Sequence, residues 1–447
     1  MTANTTPPGA PGPASTADAD VVDLCADLLR LDTTNTGDQR TSAGERSAAE
    51  YVAAVLDAAG VASEIHEAAP GRASVVARLR GADPGRPALL VHGHLDVVPA
   101  DPAEWSVDPF AGELRDGYLW GRGAIDMKDF DAMALSVVRH WGRTGYTPPR
   151  DIVLAFTADE EAGSDLGARY LVREHAHWFD GVTEAIGEVG GYSYTVRDDL
   201  RLYLIQTAEK GIQWLRLTAA GRPGHGSFLH DDNAVTALCE AVARLGAHRF
   251  PVTLTPSVRQ FLEAVGEALG VELNADDPEL VLGKLGSLAR IVGATLRNTA
   301  NPTRLDAGYK ENVIPGRATA TVDCRTLPGQ RDAFLAELRE VIGPDLELEF
   351  VQDQEALETT FAGDLVDAMG AALRREDAGA RTVPYMLSGG TDAKAFATLG
   401  IQCFGFAPLK LPPDLDFASL FHGIDERVPV DGLRFGARVL DHFLRSA

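Results

Sequence analysis

The chain has 447 residues, enough for two or three domains at ~150 residues each, and its 45% hydrophobic and 24% charged side chains are those of a soluble globular enzyme. That balance excludes a disordered, fibrous or disulfide-stapled chain. Forty-one basic residues against sixty-five acidic ones give a net charge of −24, which argues against nucleic acid, whose phosphates must be neutralised by Lys and Arg.

No apolar run reaches the ~18 residues of a membrane helix, so no membrane partner is expected. The four cysteines (Cys25, Cys239, Cys324, Cys403) are scattered, with no C-x-x-C pair. They read as buried or inert thiols in a reducing compartment. Residues 1–20 carry Pro, Gly, Ala and Thr without periodicity and lack the basic start and apolar run of a secretory signal. A disordered tail on a cytoplasmic protein is expected.

From Val21 the pattern is helical, with Leu24, Leu28 and Leu31 on one face; a second helix groups Ala48, Val52, Val55, Leu56 and Ala59 and stops at Gly60. Segments 74–79 and 88–92 are fit for strands. After Asp126, the spacing of Phe130, Met133, Ala134, Val137, Val138 and Trp141 predicts a helix with a buried stripe. Pro148 and Pro149 then break the chain, and 151–157 reads as a fully buried strand. Alternating strands and helices predict an α/β fold, a mostly parallel sheet with helices on both faces.

Around Gly211 the character changes. A strand begins at Ile212, 233–245 is a helix, and a mostly helical stretch runs over 257–299. Ala318, Ala320, Val322 and Cys324 then alternate with Thr319, Thr321, Asp323 and Arg325, a half-exposed antiparallel strand. A further helix (Phe334, Leu335, Leu338, Val341) and strand (Leu346, Leu348, Phe350) complete a compact α+β unit. The expected organisation is a catalytic domain over 21–210 and 353–447 with a lid over 211–352 inserted into it.

Polar clusters follow the predicted strands, where open α/β sheets form their sites. His94 is a candidate metal ligand, and Asp96 could hold its other ring nitrogen; read alone, the pair is equally a structural hydrogen bond. Asp126 opens its helix, where a carboxylate is also a common cap. Glu160 and Glu161 are adjacent acids at a buried strand end, or else a solvated turn. Glu188 precedes glycines and His422 lies near the C-terminus; each is weak alone. Together, His94, His422, Asp126, Glu161 and Glu188 are the nitrogen and oxygen donors that a zinc pair takes. Two zinc ions against three carboxylates would leave the pocket slightly positive.

At this point the chain resembles the dinuclear-zinc metallopeptidases that include aminoacylase-1, carboxypeptidase S, glutamate carboxypeptidase, acetylornithine deacetylase and succinyl-diaminopimelate desuccinylase. The resemblance spans 21–444 and rests on HGHLDVVP, GRGAIDMK, TADEEAGS, GRPGHGS, ENVIPG, DCRTLPG, SGGTDAKAF and FHGIDERV, in that order. It implies that Asp126 bridges two zinc ions, with cobalt or manganese as possible substitutes. It places His94 and Glu188 on one metal, and Glu161 and His422 on the other. It makes Glu160 the general base, Asp96 the partner of His94, and the Asp126–Met127 peptide cis. His225, in GRPGHGS, is the candidate oxyanion stabiliser, and the resemblance implies that it reaches the active site of a partner subunit in a homodimer formed through the lid. The chain departs from many members at Asp129 and Phe130, where they carry glycines, so a different site entrance is expected. The long stretch over 257–299 is closest in layout to carboxypeptidase S-like members.

Zinc lowers the pKa of bound water from ~15.7 to about 7, and Glu160 would take the water's proton and later deliver it to the leaving amine. Arg325 can grip a carboxylate with two parallel hydrogen bonds, unless Asp323 on the same face pairs with it instead. Asn312 and the loop over 388–392, including Gly389, Gly390 and Thr391, can add donors. The resemblance supports both and implies that they hold a free α-carboxylate. Met386, Leu387 and Phe396 read as core. The expected enzyme is a metal-dependent amidohydrolase or peptidase acting on an N-acyl amino acid or short peptide. Competing readings are a specialised deacylase of the acetylornithine or succinyl-diaminopimelate type, a two-metal phosphoesterase, and an inactive binding protein.

Overall fold

A computed structural model describes residues 16–271, 280, 282–283 and 288–447. Residues 1–15 of the expected tail, and residues 272–279, 281 and 284–287 of the expected helical stretch, lie outside them. Ala17, Asp18 and Asp20 are tied to the body of the protein, although 1–20 was expected to be a disordered tail. The Ala17 carbonyl accepts from Ser136 Oγ at 2.5 Å, Asp18 pairs with Arg438 at 2.7 Å, and Asp20 with Arg143 at 2.5 Å.

The strands Ala88–His94 and Ile152–Thr157 are buried along their whole length, as strands covered on both faces must be. Side-chain alternation sends their residues to two separate cores. Leu89, Val91, Leu154 and Phe156 pack with the helices Val21–Leu29, Arg46–Ala58, Lys128–Thr144 and Val430–Ser446. Leu90, Val153 and Ala155 face Leu171, Phe179 and Phe396 on the other side. The large sheet is mostly parallel through its centre, where Ile152–Thr157, Ala88–His94, Val182–Gly187 and Gln402–Gly405 lie side by side. Antiparallel pairs close both flanks: Ser63–Ala69 with Arg72–Leu79 on one, Ser193–Arg197 with Leu200–Glu209 on the other. The helix Lys128–Thr144 ends on left-handed Gly145, and its Asp129 and Phe130 are 2% and 1% exposed. These two residues therefore belong to the core and shape no entrance.

A second sheet is antiparallel throughout, in the order Thr299–Ala307, Arg317–Thr326, Gly211–Ala220, Leu346–Gln354. Its apolar face carries the expected Ala318, Ala320, Val322 and Cys324 against the helices Ala234–Ala247 and Arg331–Ile342. Asn233 caps the first of these by accepting from Val235 N at 2.9 Å. The helix Pro256–Leu269 does not join this unit, although 211–352 was expected to form a single lid. Val258, Phe261, Leu262 and Val265 are buried in the core of the large sheet, as are Val292 and Leu296. The second unit is thus two segments of chain with an excursion back into the first between them. The four cysteines are free; Cys239 is exposed, and the other three are buried.

Candidate metal centre and cleft

Three neighbouring parallel strands deliver the acids and the first histidine. His94 ends Ala88–His94, Glu160 and Glu161 follow Ile152–Thr157 in a short 3-10 turn, and Glu188 follows Val182–Gly187. Asp126 precedes the helix Lys128–Thr144 through a cis Asp126–Met127 peptide. His422, at φ 56°, comes from the loop before the short strand Arg427–Pro429. Glu426 fastens these last two segments together. Its carboxylate accepts from Ile125 N at 2.8 Å and from the Arg122 guanidinium at 2.6 Å.

The donors converge. His94 Nε2 lies 3.1 Å from Asp126 Oδ1 and 3.3 Å from Glu188 Oε2. His422 Nε2 lies 3.2 Å from Asp126 Oδ2 and 3.2 Å from Glu161 Oε2. Each oxygen of the Asp126 carboxylate therefore faces a different imidazole. His94 Nδ1 is held by the backbone carbonyl of Asp96 at 2.9 Å, with an Asp96 carboxylate oxygen at 3.5 Å, which leaves Nε2 to face the cluster. The Asp96 carboxylate itself accepts from the backbone N–H groups of Glu160 and Glu161 at 3.1 and 3.2 Å. It orients the acidic turn as well as the histidine.

Electrostatics show what this cluster lacks. Burial, reinforced by neighbouring carboxylates, raises Glu160 and Glu161, and burial pushes Glu188 up to about 8. His422 is raised to about 10 by its hydrogen bonds to Asp126 and Glu161, and His94 is raised by Glu188, Asp126 and Asp96 against the penalty of burial. Glu161 Oε1 is buried with no partner. Nitrogen and oxygen donors gathered around a deficit of cations fit divalent metal. Two donor groups have atoms within 4.8 Å of one another: His94, Asp126 and Glu161, and His94, Glu160 and Glu188. Glu160, expected to stand outside the ligand set, lies within the second. The expectation of a slightly positive pocket counted three carboxylates and omitted Glu160.

The cluster forms the floor of a cleft of ≈ 640 Å³ between the two sheets. Arg325, Gly389, Gly390 and Thr391 line it as expected, together with Trp214, Tyr192, Tyr385 and Phe421. Leu387, read as core, lines it too, while Met386 and Phe396 are buried. Arg325 also pairs with Asp323, at 2.7 Å from Nε and 3.1 Å from the terminal nitrogen. His225 and Asn312 are not brought to this cleft. They sit together on an exposed ribbon, where the Asn312 carbonyl accepts from Gly226 N at 2.9 Å and His225 Nδ1 meets Ser227 Oγ at 2.8 Å.

The residue pattern did not single out Asn35, Asp159, Arg72 or Glu45. Asn35 Nδ2 donates to Asp96 at 2.8 Å and Asp159 at 3.2 Å. Arg72 ties Asp159, at 2.9 Å, to Glu45, at 2.7 Å. The signal for Asp159 lay in the acidic run itself, where one more acid than the metal needs calls for a buried partner.

A sequence profile of peptidase family M20/M25/M40 matches residues 90–446. The chain belongs to that family. The N-fatty-acyl-amino acid synthase/hydrolase PM20D1 of Xenopus tropicalis is 27% identical over 434 residues, covering 92% of this chain and 83% of its own. Aminoacylase-1 of Homo sapiens is 28% identical over 376 residues, covering 83% and 82%. Among solved structures, the M20 family metallo-carboxypeptidase Sso-CP2 of Sulfolobus solfataricus superposes with a TM-score of 0.71 at 20% identity, over 96% of this chain and 99% of that one. The dinuclear metal binding peptidase YXEP of Bacillus subtilis does so with a TM-score of 0.61 at 14% identity, over 96% and 98%. These two likenesses establish the M20 fold.

Proposed function

We propose that this metal-dependent amidohydrolase holds two divalent cations, zinc in the first instance. Asp126, His94, Glu188, Glu161 and His422 would hold them, with Asp126 shared, His94 and Glu188 serving one cation and Glu161 and His422 the other. The observation that carries this reading is the Asp126 carboxylate with one imidazole nitrogen on each oxygen, at 3.1 and 3.2 Å. Cobalt or manganese would suit the same donors. Bound there, the cations supply a Lewis acid for the scissile carbonyl and make water acidic near neutral pH.

Glu160 takes the proton of the attacking water and returns it to the amine that leaves. Its backbone N–H, pinned by Asp96, keeps the carboxylate over the floor of the cleft. Arg325 and the loop through Gly389, Gly390 and Thr391 hold the free α-carboxylate of an N-acyl amino acid or short peptide, with Arg325 leaving Asp323 to do so. Asn312 and His225 would act from a second subunit, His225 on the oxyanion. The exposed Phe228, Leu229, Leu305 and Tyr309, at 60–101% exposure on the same unit, favour a homodimer through this unit. Among the described residues no helix is long and apolar enough to cross a membrane; the free cysteines favour the cytoplasm.

Among the described residues Arg325 is the sole Lys or Arg lining the cleft. A succinyl carboxylate, or a phosphate gripped beyond the metals, would call for a second cationic side chain, which disfavours the specialised desuccinylase and the phosphoesterase. Tyr192, Trp214, Tyr385 and Phe421 suit an apolar acyl group or side chain instead. Purified protein assayed on N-acetylated amino acids and dipeptides, with and without a chelator, tests the reading. Hydrolysis that stops on chelation and returns with zinc is expected; full activity after complete metal removal would overturn it.

A further inference from the structure

The motif SGGTDAKAF contributes a lysine that the reaction does not use. Lys394 is 7% exposed, and its ammonium group sits where the two sheets are joined. Among the described residues four connections join helices and strands of the large-sheet body to those of the second unit: at Lys210, over 250–254, over 296–299, and at residues 355 and 356. Lys394 Nζ donates to the Lys210 carbonyl at 2.8 Å and the Glu355 carbonyl at 3.1 Å, holding the first crossing to the last. Lys210 Nζ donates to the carbonyls of Ala294 and Arg297 at 3.0 and 2.8 Å, beside the third. Thr253 N donates to the Leu296 carbonyl at 2.8 Å and links the second to the third. One network of hydrogen bonds, most of them part-buried, thus gathers these passages between the sheets.

The same lysine is linked to the cleft through Glu209. It pairs at 3.3 Å with Glu209, which is fully buried. Glu209 accepts from Thr391 N at 3.0 Å and Thr391 Oγ1 at 2.6 Å. A Cβ on Gly390 would lie 2.7 Å from Lys394 Cε and 2.9 Å from Ile212 Cδ1, so the loop rests on both and any side chain there would displace them. Ile212 is the register partner of Arg325 across the small sheet. The two halves of the anion grip, the Gly390 loop on one sheet and Arg325 on the other, therefore meet at Lys394 and Ile212.

We propose that Lys394 is a positioning residue that couples the loop Gly389-Gly390-Thr391 to the angle between the two sheets, so that a substrate carboxylate is read by the loop and Arg325 together. The inference rests on the reading of Arg325 and this loop as the carboxylate grip. Burial, with a smaller contribution from the nearby Arg325 charge, holds Lys210 down to about 7.

The test compares wild type, Lys394→Met and Lys394→Arg on an N-acetyl amino acid and on the same compound as its carboxamide. Lys394→Met should raise KM for the acid about tenfold or more while kcat changes little. It should also shrink the preference for acid over carboxamide, and Lys394→Arg should restore part of it. A wild type indifferent to the carboxamide overturns the carboxylate reading and this inference with it. A wild type that discriminates, beside a folded Lys394→Met that keeps the same KM and preference, overturns this inference alone. If Lys394→Met does not accumulate folded, Glu209→Gln tests the same link: a raised KM with kcat kept supports it, and a KM within about twofold of wild type overturns it.

Discussion

Asn35 Nδ2 donates to Asp96 Oδ2 at 2.8 Å, a side-chain bond that spans 61 residues of chain inside the protein. Asn35 is 4% exposed and Asp96 is fully buried. Asp96 in turn holds the N–H groups of Glu160 and Glu161, so the amide stands one step behind both the histidine and the acidic turn. Asn35→Ala should therefore weaken metal retention or activity by ~10–100-fold without touching a ligand. Metal content after dialysis, beside kcat, checks this; a variant that keeps both at wild-type values would make the bond merely structural.

Glu160→Gln would remove the proposed base and keep the shape. Turnover should fall ~10²–10⁴-fold while two metals per chain remain. Because Glu160 groups with His94 and Glu188 within 4.8 Å, loss of one metal instead would transfer Glu160 from the role of base to that of ligand. Elemental analysis of the variant separates the two.

The helix Pro256–Leu269 packs Phe261, 1% exposed, into the core of the large sheet. Phe261→Ala should cost about 3–5 kcal/mol of global stability through the cavity it leaves. Denaturant unfolding followed by far-UV circular dichroism reads this. A loss under about 1 kcal/mol would return the helix to the periphery of a separate lid.

Asp377 ties the edge of the large sheet together. Burial pushes its pKa up, but the Arg201 guanidinium, the Tyr203 hydroxyl at 2.8 Å and the Gly379 N–H at 3.2 Å outweigh that and hold it at about 2. The folded value lies below the unfolded ~3.9, so the folded state binds fewer protons between the two. Its contribution is complete above about pH 4 and is lost as pH falls towards about 2. Asp377→Asn should lower stability by about 1.5–3 kcal/mol at pH 7. The gap to wild type should close over that acidic window, and a gap that stays constant down to pH ~2 would contradict it.

Much of the molecule was legible in the residue order. Strands 88–94 and 152–157 announce themselves because burial on both faces demands an unbroken apolar run. The alternation through Arg317–Thr326 marks its apolar face residue for residue. The strand Leu200–Glu209 was not recognised, although it is the hub from which the second unit departs. It runs straight into Gly211–Ala220 with Lys210 alone between them, so no turn signal separates the two.

The candidate ligands could be named because a metal's chemistry restricts donors to a few residue types, and those types stand out at strand ends. Which donors face one another depends on three parallel strands lying side by side, a long-range pairing that local periodicity does not encode. For the same reason Asn35, Glu45 and Arg72 stayed hidden. Their importance is a matter of burial and of partners up to 124 residues away, and an isolated Asn, Glu or Arg carries no mark of either. The linear order of residues thus supplies the chemical inventory and the local elements, whereas the angle of one sheet over the other, and hence the cleft, rests on contacts between residues far apart in the chain, such as Lys394 with the Lys210 carbonyl.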